Sequence, residues 1–257
     1  MRVVVLAGGL GTRLAEETEV RPKPIVEIGG RPILWHILKH YSFYGFNEFF
    51  IALGYKSEII KRYFVDYYSL NGSMTIDFAD GRIKRNGEEG EPWVVHLMET
   101  GLETNTGGRL KRLECWLGGD TFMLTYGAGV SDVNLQALVD FHRRSGCIAT
   151  LTAVRPPARF GGLIFDQERV KEFTEKSQIG EGWINGGFMV FEPALFRYLP
   201  EDDHINLEGH VFERLAAEGQ LAAYRHDGFW QCMDTLRDKR LLDTLWREQR
   251  ASWKVWP

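Results

Sequence analysis

The chain has 257 residues, of which 44% are hydrophobic and 26% charged, with a formal net charge of −4. That apolar share is enough to offset chain entropy, so disorder is excluded as the main state. The slight acidic excess argues against a general nucleic-acid binder. No apolar run approaches the roughly 20 residues that cross a bilayer, so no membrane partner is expected.

In chain order, 3–6 is a short β-branched run of the kind that forms a buried parallel strand. Residues 32–44 follow as a helix, with Ile33, Ile37, Leu38 and Tyr41 on one face. Strand 49–53, helix 58–68 and strands 74–78 and 94–98 come next. A short helix over 109–116, strand 122–125, helix 135–144 and strand 148–154 complete the first part. This alternation predicts an α/β fold: an open, mostly parallel, Rossmann-like sheet flanked by helices on both faces. The pattern then changes. Short strand-like pieces at 163–165 and 170–173, with another strand at 188–191, suggest a small β-rich insertion over the active site, roughly 155–190. Helices are expected at 211–217 and 236–248. No linker composition separates these parts, so one domain over 1–257 is expected.

Gly8 and Gly9 interrupt the opening apolar stretch too early for a secretory signal. Cys115, Cys147 and Cys232 are far apart and odd in number, which fits a reducing cytoplasm better than a disulfide framework.

The first strand runs into Leu6-Ala7-Gly8-Gly9-Leu10-Gly11-Thr12-Arg13. In open α/β sheets ligands bind beyond the carboxyl ends of strands. Glycines there let backbone N–H groups approach phosphate oxygens, and an arginine adds a planar cation. The glycines alone are equally consistent with a tight turn. Leu14 stands where a dinucleotide fingerprint needs its third glycine, and no Gly-Lys-Ser or Gly-Lys-Thr closes a Walker loop. In Arg21-Pro22-Lys23-Pro24 two prolines flank a lysine, which predicts that Lys23 is held in an extended stretch beside the loop.

These two segments resemble the signature of the sugar-1-phosphate nucleotidyltransferases. The likeness extends through Glu27 to Ile37, Glu91-Pro92-Trp93, Thr106 to Arg112, Arg159-Phe160-Gly161, Ile184 to Phe188 and Gly228 to Lys239. The Thr106 to Arg112 and Met233-Asp234-Thr235 blocks are narrower and resemble the glucose-1-phosphate cytidylyltransferase branch.

The resemblance implies transfer of a cytidylyl group from CTP to a hexose 1-phosphate, giving CDP-sugar and pyrophosphate. Glucose is the default sugar. A sugar phosphate is mostly ionised near neutral pH, with a second pKa of roughly 6, so no general base is required. The work is alignment and charge neutralisation. By resemblance Arg13 and Lys23 are catalytic. Leu6, Ala7, Gly8, Gly9, Leu10, Gly11, Thr12, Arg13, Lys23, Thr104, Gly108 and Arg109 bind the nucleotide. Glu175, Lys176, Asn185, Gly186 and Trp230 bind the sugar phosphate, although Ser177 replaces the family's usual proline. A Mg2+ cofactor, a homo-oligomer and a role in nucleotide-sugar and polysaccharide synthesis are implied too. On their own, Lys176 reads more simply as a solvated charge and Trp230 as core. The aromatic tail (Trp246, Trp253, Trp256) reads as an anchor or subunit contact.

A second position departs from the pattern. The family's metal site uses two aspartates, one matched by Asp234, but the other position is Ala128 in Tyr126-Gly127-Ala128-Gly129. A methyl group cannot ligate magnesium. Three readings compete: a deliberate replacement that impairs an otherwise intact enzyme, a natural variant in which Asp132 or water fills the gap, and a relative that binds nucleotide sugars without turnover. Because every other motif is intact, the first fits best and Asp132 rescue fits least. Uridylyl or thymidylyl transfer is the nearest alternative chemistry.

Overall fold

The computed structural model describes residues 1–70, 72–86, 90–156, 162–166, 169–174 and 182–257. Its main sheet runs from edge to edge as Val94–Glu99, Glu48–Leu53, Arg2–Leu6, Phe122–Tyr126, the interrupted pair Ile184–Asn185 and Met189–Phe191, Ala149–Val154 and Leu221–His226. The first four strands are mutually parallel. Met189–Phe191 is antiparallel to both neighbours, and Leu221–His226 is parallel to Ala149–Val154.

Strand periodicity sends alternate side chains to opposite faces, and two cores result. Val3, Val5, Phe49 and Ile51 face one core, covered by the helices Ile33–Phe43 and Leu135–Ser145 and by Trp253 and Trp256. Val4, Leu6, Phe50 and Ala52 face the other, covered by Leu110, Leu113, Leu117 and the 195–215 segment. An apolar run with no alternation is what a strand buried on both faces requires.

Several expectations need correction. The helix expected at 109–116 is two short helices, Thr106–Lys111 and Glu114–Leu117. The first starts early because packing overrides the low helix propensity of Gly107 and Gly108. Their N–H groups donate to the Ile205 carbonyl at 2.9 and 3.2 Å. Ile184–Asn185 and Met189–Phe191, at the end of the expected insertion, belong to the main sheet. Among the described residues of that insertion, the hairpin Gly162–Asp166 with Arg169–Thr174 stands apart from the main sheet. The strand Leu221–His226 was not expected, since Ala222 and Ala223 carry little β signal. The 211–217 helix is a π-helical turn, Leu207–Phe212, running into Glu213–Ala217. No helix among the described residues is long and apolar enough to cross a membrane.

Candidate active site

The opening loop leaves the carboxyl end of the Arg2–Leu6 strand and forms one wall of a cleft of about 760 Å3. It is fastened from behind. The Gly8 carbonyl accepts from the Tyr55 N–H at 3.1 Å and from Arg109 Nη2 at 3.0 Å. A side chain at Gly8 would meet the Arg109 guanidinium at 2.2 Å and would have to push it off the carbonyls it holds. Gly11 turns the chain with φ of +68°, and its carbonyl accepts from Leu14 N–H at 2.9 Å and Thr18 Oγ1 at 3.2 Å. Among the described residues, the N–H groups of Gly9, Leu10 and Gly11 have no protein acceptor. Such a loop, with its carbonyls tied back and its amides open, suits an anion.

Arg13 and Lys23 converge on the cleft and meet at Asp234. Arg13 Nη1 lies 2.5 Å from Asp234 Oδ2, and Lys23 Nζ donates to Asp234 Oδ1. Lys23 is not in the expected extended stretch. It opens a single 3-10 turn, Lys23–Ile25, after the extended Pro22. Pro24 is tolerated there because the first turn of a helix does not use its missing N–H. Asp234 precedes Thr235, the N-cap of the helix Leu236–Arg247. Thr235 and Asp238 form a capping box, and Asp238 Oδ2 also accepts from the Asp234 N–H at 3.1 Å. The capping box therefore fixes where Asp234 sits. Partial burial raises its pKa, but the Lys23 hydrogen bond and the Lys23 and Arg13 charges outweigh this, holding it below the usual aspartate value.

Ala128 lies beside this cluster. The strand Gly129–Ser131 pairs antiparallel with Trp230–Cys232, and the Met233 N–H donates to the Ala128 carbonyl at 2.8 Å. Positions 128 and 234 thus flank the same stretch of cleft, and both line it. Asp132 does not stand in for a missing carboxylate. It does not line the cleft, and its Oδ1 is 2.9 Å from His226 Nε2. Magnesium requires a near-octahedral set of oxygens. Here position 128 offers a methyl group, and both Asp234 oxygens are engaged by cations. No cluster of three His, Cys, Asp or Glu suited to a metal occurs among the described residues. The residues present do not fit a two-carboxylate magnesium site.

The opposite wall carries Asn185, Gly186 and Trp230. Trp230 Nε1 donates to the Gly186 carbonyl at 2.7 Å, so its ring is both cleft wall and packing partner of the core. Asn185 Nδ2 donates to Tyr126 Oη at 3.2 Å, and Tyr126 Oη donates to Glu208 Oε1. Burial and the nearby Glu208 carboxylate push the Tyr126 hydroxyl pKa up, so it stays a donor. Glu208 also accepts from Thr106 Oγ1 at 3.0 Å. Neither Glu208 nor Tyr126 stood out in the sequence as a cleft residue. Glu208 arrives from a distant π-helical turn with no local motif.

The structure brings together Leu6, Ala7, Gly9, Gly11, Thr12, Arg13, Lys23, Asn185, Gly186, Trp230 and Asp234. Gly8 and the exposed Leu10 belong to the same loop without lining the cleft. Thr104 is buried, and Gly108 borders a separate polar depression with Arg112 and Asp203. Arg109 is also buried, its guanidinium on the carbonyls of Gly8, Leu53, Gly101 and Leu102 and on Thr100 Oγ1. It supports the loop from behind. Burial first, and the Arg112 charge second, lower its pKa. Glu175 and Lys176 lie outside the described residues.

The profile of the Nucleotidyl transferase family matches residues 2–238. The chain belongs to that family. Among known nucleotidyltransferases, it is 47% identical to the glucose-1-phosphate cytidylyltransferase of Salmonella typhi over the full length of both chains. It is 43% identical to the probable glucose-1-phosphate cytidylyltransferase of Bacillus subtilis, again over the full length of both. The solved structure of HddC from Yersinia pseudotuberculosis shares its nucleotidyltransferase fold, with a TM-score of 0.70 at 20% identity, covering 95% of this chain and 99% of that one.

Proposed function

We propose that this nucleotidyltransferase joins CTP to a hexose 1-phosphate, with glucose 1-phosphate as the first candidate. The observation that carries the reading is the convergence of Arg13 and Lys23 beside a loop whose amides are open. The full-length identity to cytidylyltransferases supports cytosine as the base. A sugar-phosphate oxygen attacks the α-phosphorus of CTP and forms a new P–O bond. The bond from that phosphorus to the bridging oxygen breaks, and pyrophosphate leaves with its electron pair. The nucleophile is already ionised, so no side chain accepts a proton. Lys23, Arg13 and the amides of Gly9 to Gly11 neutralise the charge that two anions bring together. Asn185, Gly186 and Trp230 hold the sugar, and Glu175 and Lys176 are assigned to the same task by resemblance. Arg109 acts through the Gly8 carbonyl by keeping the loop in shape.

The proposal extends to one functional domain over 1–257, a homo-oligomer, a cytoplasmic setting and a place in polysaccharide synthesis. A magnesium-dependent relative of this chain would carry a carboxylate at position 128. One observation favours a second reading, a nucleotide-sugar binder without turnover: the methyl group of Ala128 beside Asp234. Losing one metal ligand costs about 3–5 kcal/mol of transition-state stabilisation, roughly a hundred- to several-thousand-fold in rate. Ala128→Asp is therefore expected to raise turnover by about that factor. The check is pyrophosphate release across CTP, UTP, dTTP and GTP with a panel of sugar 1-phosphates. Release with CTP supports cytidylyl transfer. Release with UTP or dTTP instead moves the assignment to those bases, and no release with any pair leaves the binder.

A further inference from the structure

The misfit between this cleft and a magnesium site has a consequence for binding. Asp234 is not poised with open oxygens. Oδ1 is held by Lys23 and Oδ2 by Arg13, the two cations proposed to receive the substrate phosphates. The side chains of Lys23 and Asp234 are only 13% and 15% exposed, so water screens their pairing weakly, whereas Arg13 is 74% exposed and its share is sensitive to salt. Two cations and one carboxylate leave a local surplus of one positive charge. A carboxylate at position 128 and a divalent ion would draw Asp234 away from the cations. Ala128 provides no such carboxylate.

We infer that in this chain Asp234 is an internal anion that occupies Lys23 and Arg13 until a polyphosphate displaces it, so that nucleotide binding needs no divalent metal and is opposed by Asp234. A phosphate offers the same cations more oxygens and more charge than a carboxylate, and the open amides of Gly9 to Gly11 add donors that Asp234 does not use. Exchange of one anion for another is therefore favourable without a third charged partner. Asp234 then repels the arriving phosphates from close range. The inference rests on the cytidylyl-transfer reading only for the identity of the nucleotide, because any polyphosphate would meet the same three charges.

The test is titration calorimetry of the full chain with CTP and, separately, with inorganic triphosphate. Each titration is run in EDTA and in magnesium, on the unmutated protein and on Asp234→Asn. Both ligands are expected to bind in EDTA, and magnesium is expected not to tighten them. Asp234→Asn is expected to tighten both about tenfold, one decade of Kd. In the Ala128→Asp background with magnesium, the same Asp234→Asn change is expected to weaken CTP binding, reversing the sign. Binding that requires magnesium in the unmutated protein, or weaker binding by Asp234→Asn, overturns the inference. Should Asp234→Asn fail to fold, the comparison of EDTA with magnesium on the unmutated protein decides alone. Triphosphate binding without CTP binding keeps the inference and removes the nucleotide reading. Absence of binding by both removes the two together.

Discussion

The cation end of the cleft and the aromatic floor beneath the sheet handle buried polar groups in opposite ways. At the floor, His36 donates from Nε2 to the Ile28 carbonyl at 2.9 Å and accepts at Nδ1 from Trp253 Nε1 at 3.3 Å. His40 donates from Nε2 to the Val133 carbonyl at 2.9 Å. Both imidazoles are buried, and burial lowers each pKa from 6.5 to about 4. These groups are neutral, and backbone carbonyl partners set their tautomers. In the cleft, Arg13, Lys23 and Asp234 are paired through charged contacts of the kind an incoming anion competes for, and among the described residues the N–H groups of Gly9, Leu10 and Gly11 have no protein acceptor. Satisfied polar groups stabilise a fold, whereas exchangeable ones are available for binding. The contrast separates residues that hold the structure from residues proposed to act on a ligand.

The largest effect expected from breaking the floor is that of Trp253→Ala. Trp253 is 1% exposed, and its removal leaves a cavity and an unpartnered His36 Nδ1. A loss of about 3–5 kcal/mol is expected in chemical denaturation, with CTP affinity unchanged at temperatures where the variant is folded. A variant of full stability, or one that loses affinity while folded, would erase the distinction between the two regions.

An effect comparable in total, and about half as large for each imidazole, is expected from acid. The histidines have a lower pKa folded than unfolded, so the unfolded chain binds more protons between pH 6.5 and 4. Their contribution is complete above about pH 6.5 and falls as pH drops toward 4. Between pH 7 and 5 the loss is about 2 kcal/mol for each histidine. Denaturant melts across that range measure it, and a flat profile from pH 7 to 5 would show that neither imidazole is held neutral.

Much of this was legible in the sequence where one local signal dominated. The β-branched run ending in Leu6 and the glycines after it encode local geometry, and both appear in the structure as a buried strand and a tight turn. Other features depend on partners far away in the chain. Leu221–His226 is a strand because Ala149–Val154 offers it an edge, not because Ala222 and Ala223 prefer one. Arg109 lies in a motif that resembles a nucleotide-binding block, yet it reaches Gly8 from 101 residues away to support the loop. Glu208 joins the cleft through Thr106 and Tyr126, a relation that no spacing in its own segment reveals. Even Lys23, singled out by its flanking prolines, sits in a turn where an extended stretch was expected.

The opening loop and the cation behind it are proposed to cradle a polyphosphate. Titration of CTP into the unmutated protein and into Lys23→Met tests this most directly. Lys23→Met is expected to weaken binding about 10- to 100-fold, as for loss of a charge-assisted contact, read at a temperature where the variant is folded, because Asp234 then keeps only the exposed Arg13 as an ion-pair partner. Equal affinity in the two proteins, or no heat from CTP in either, would contradict it.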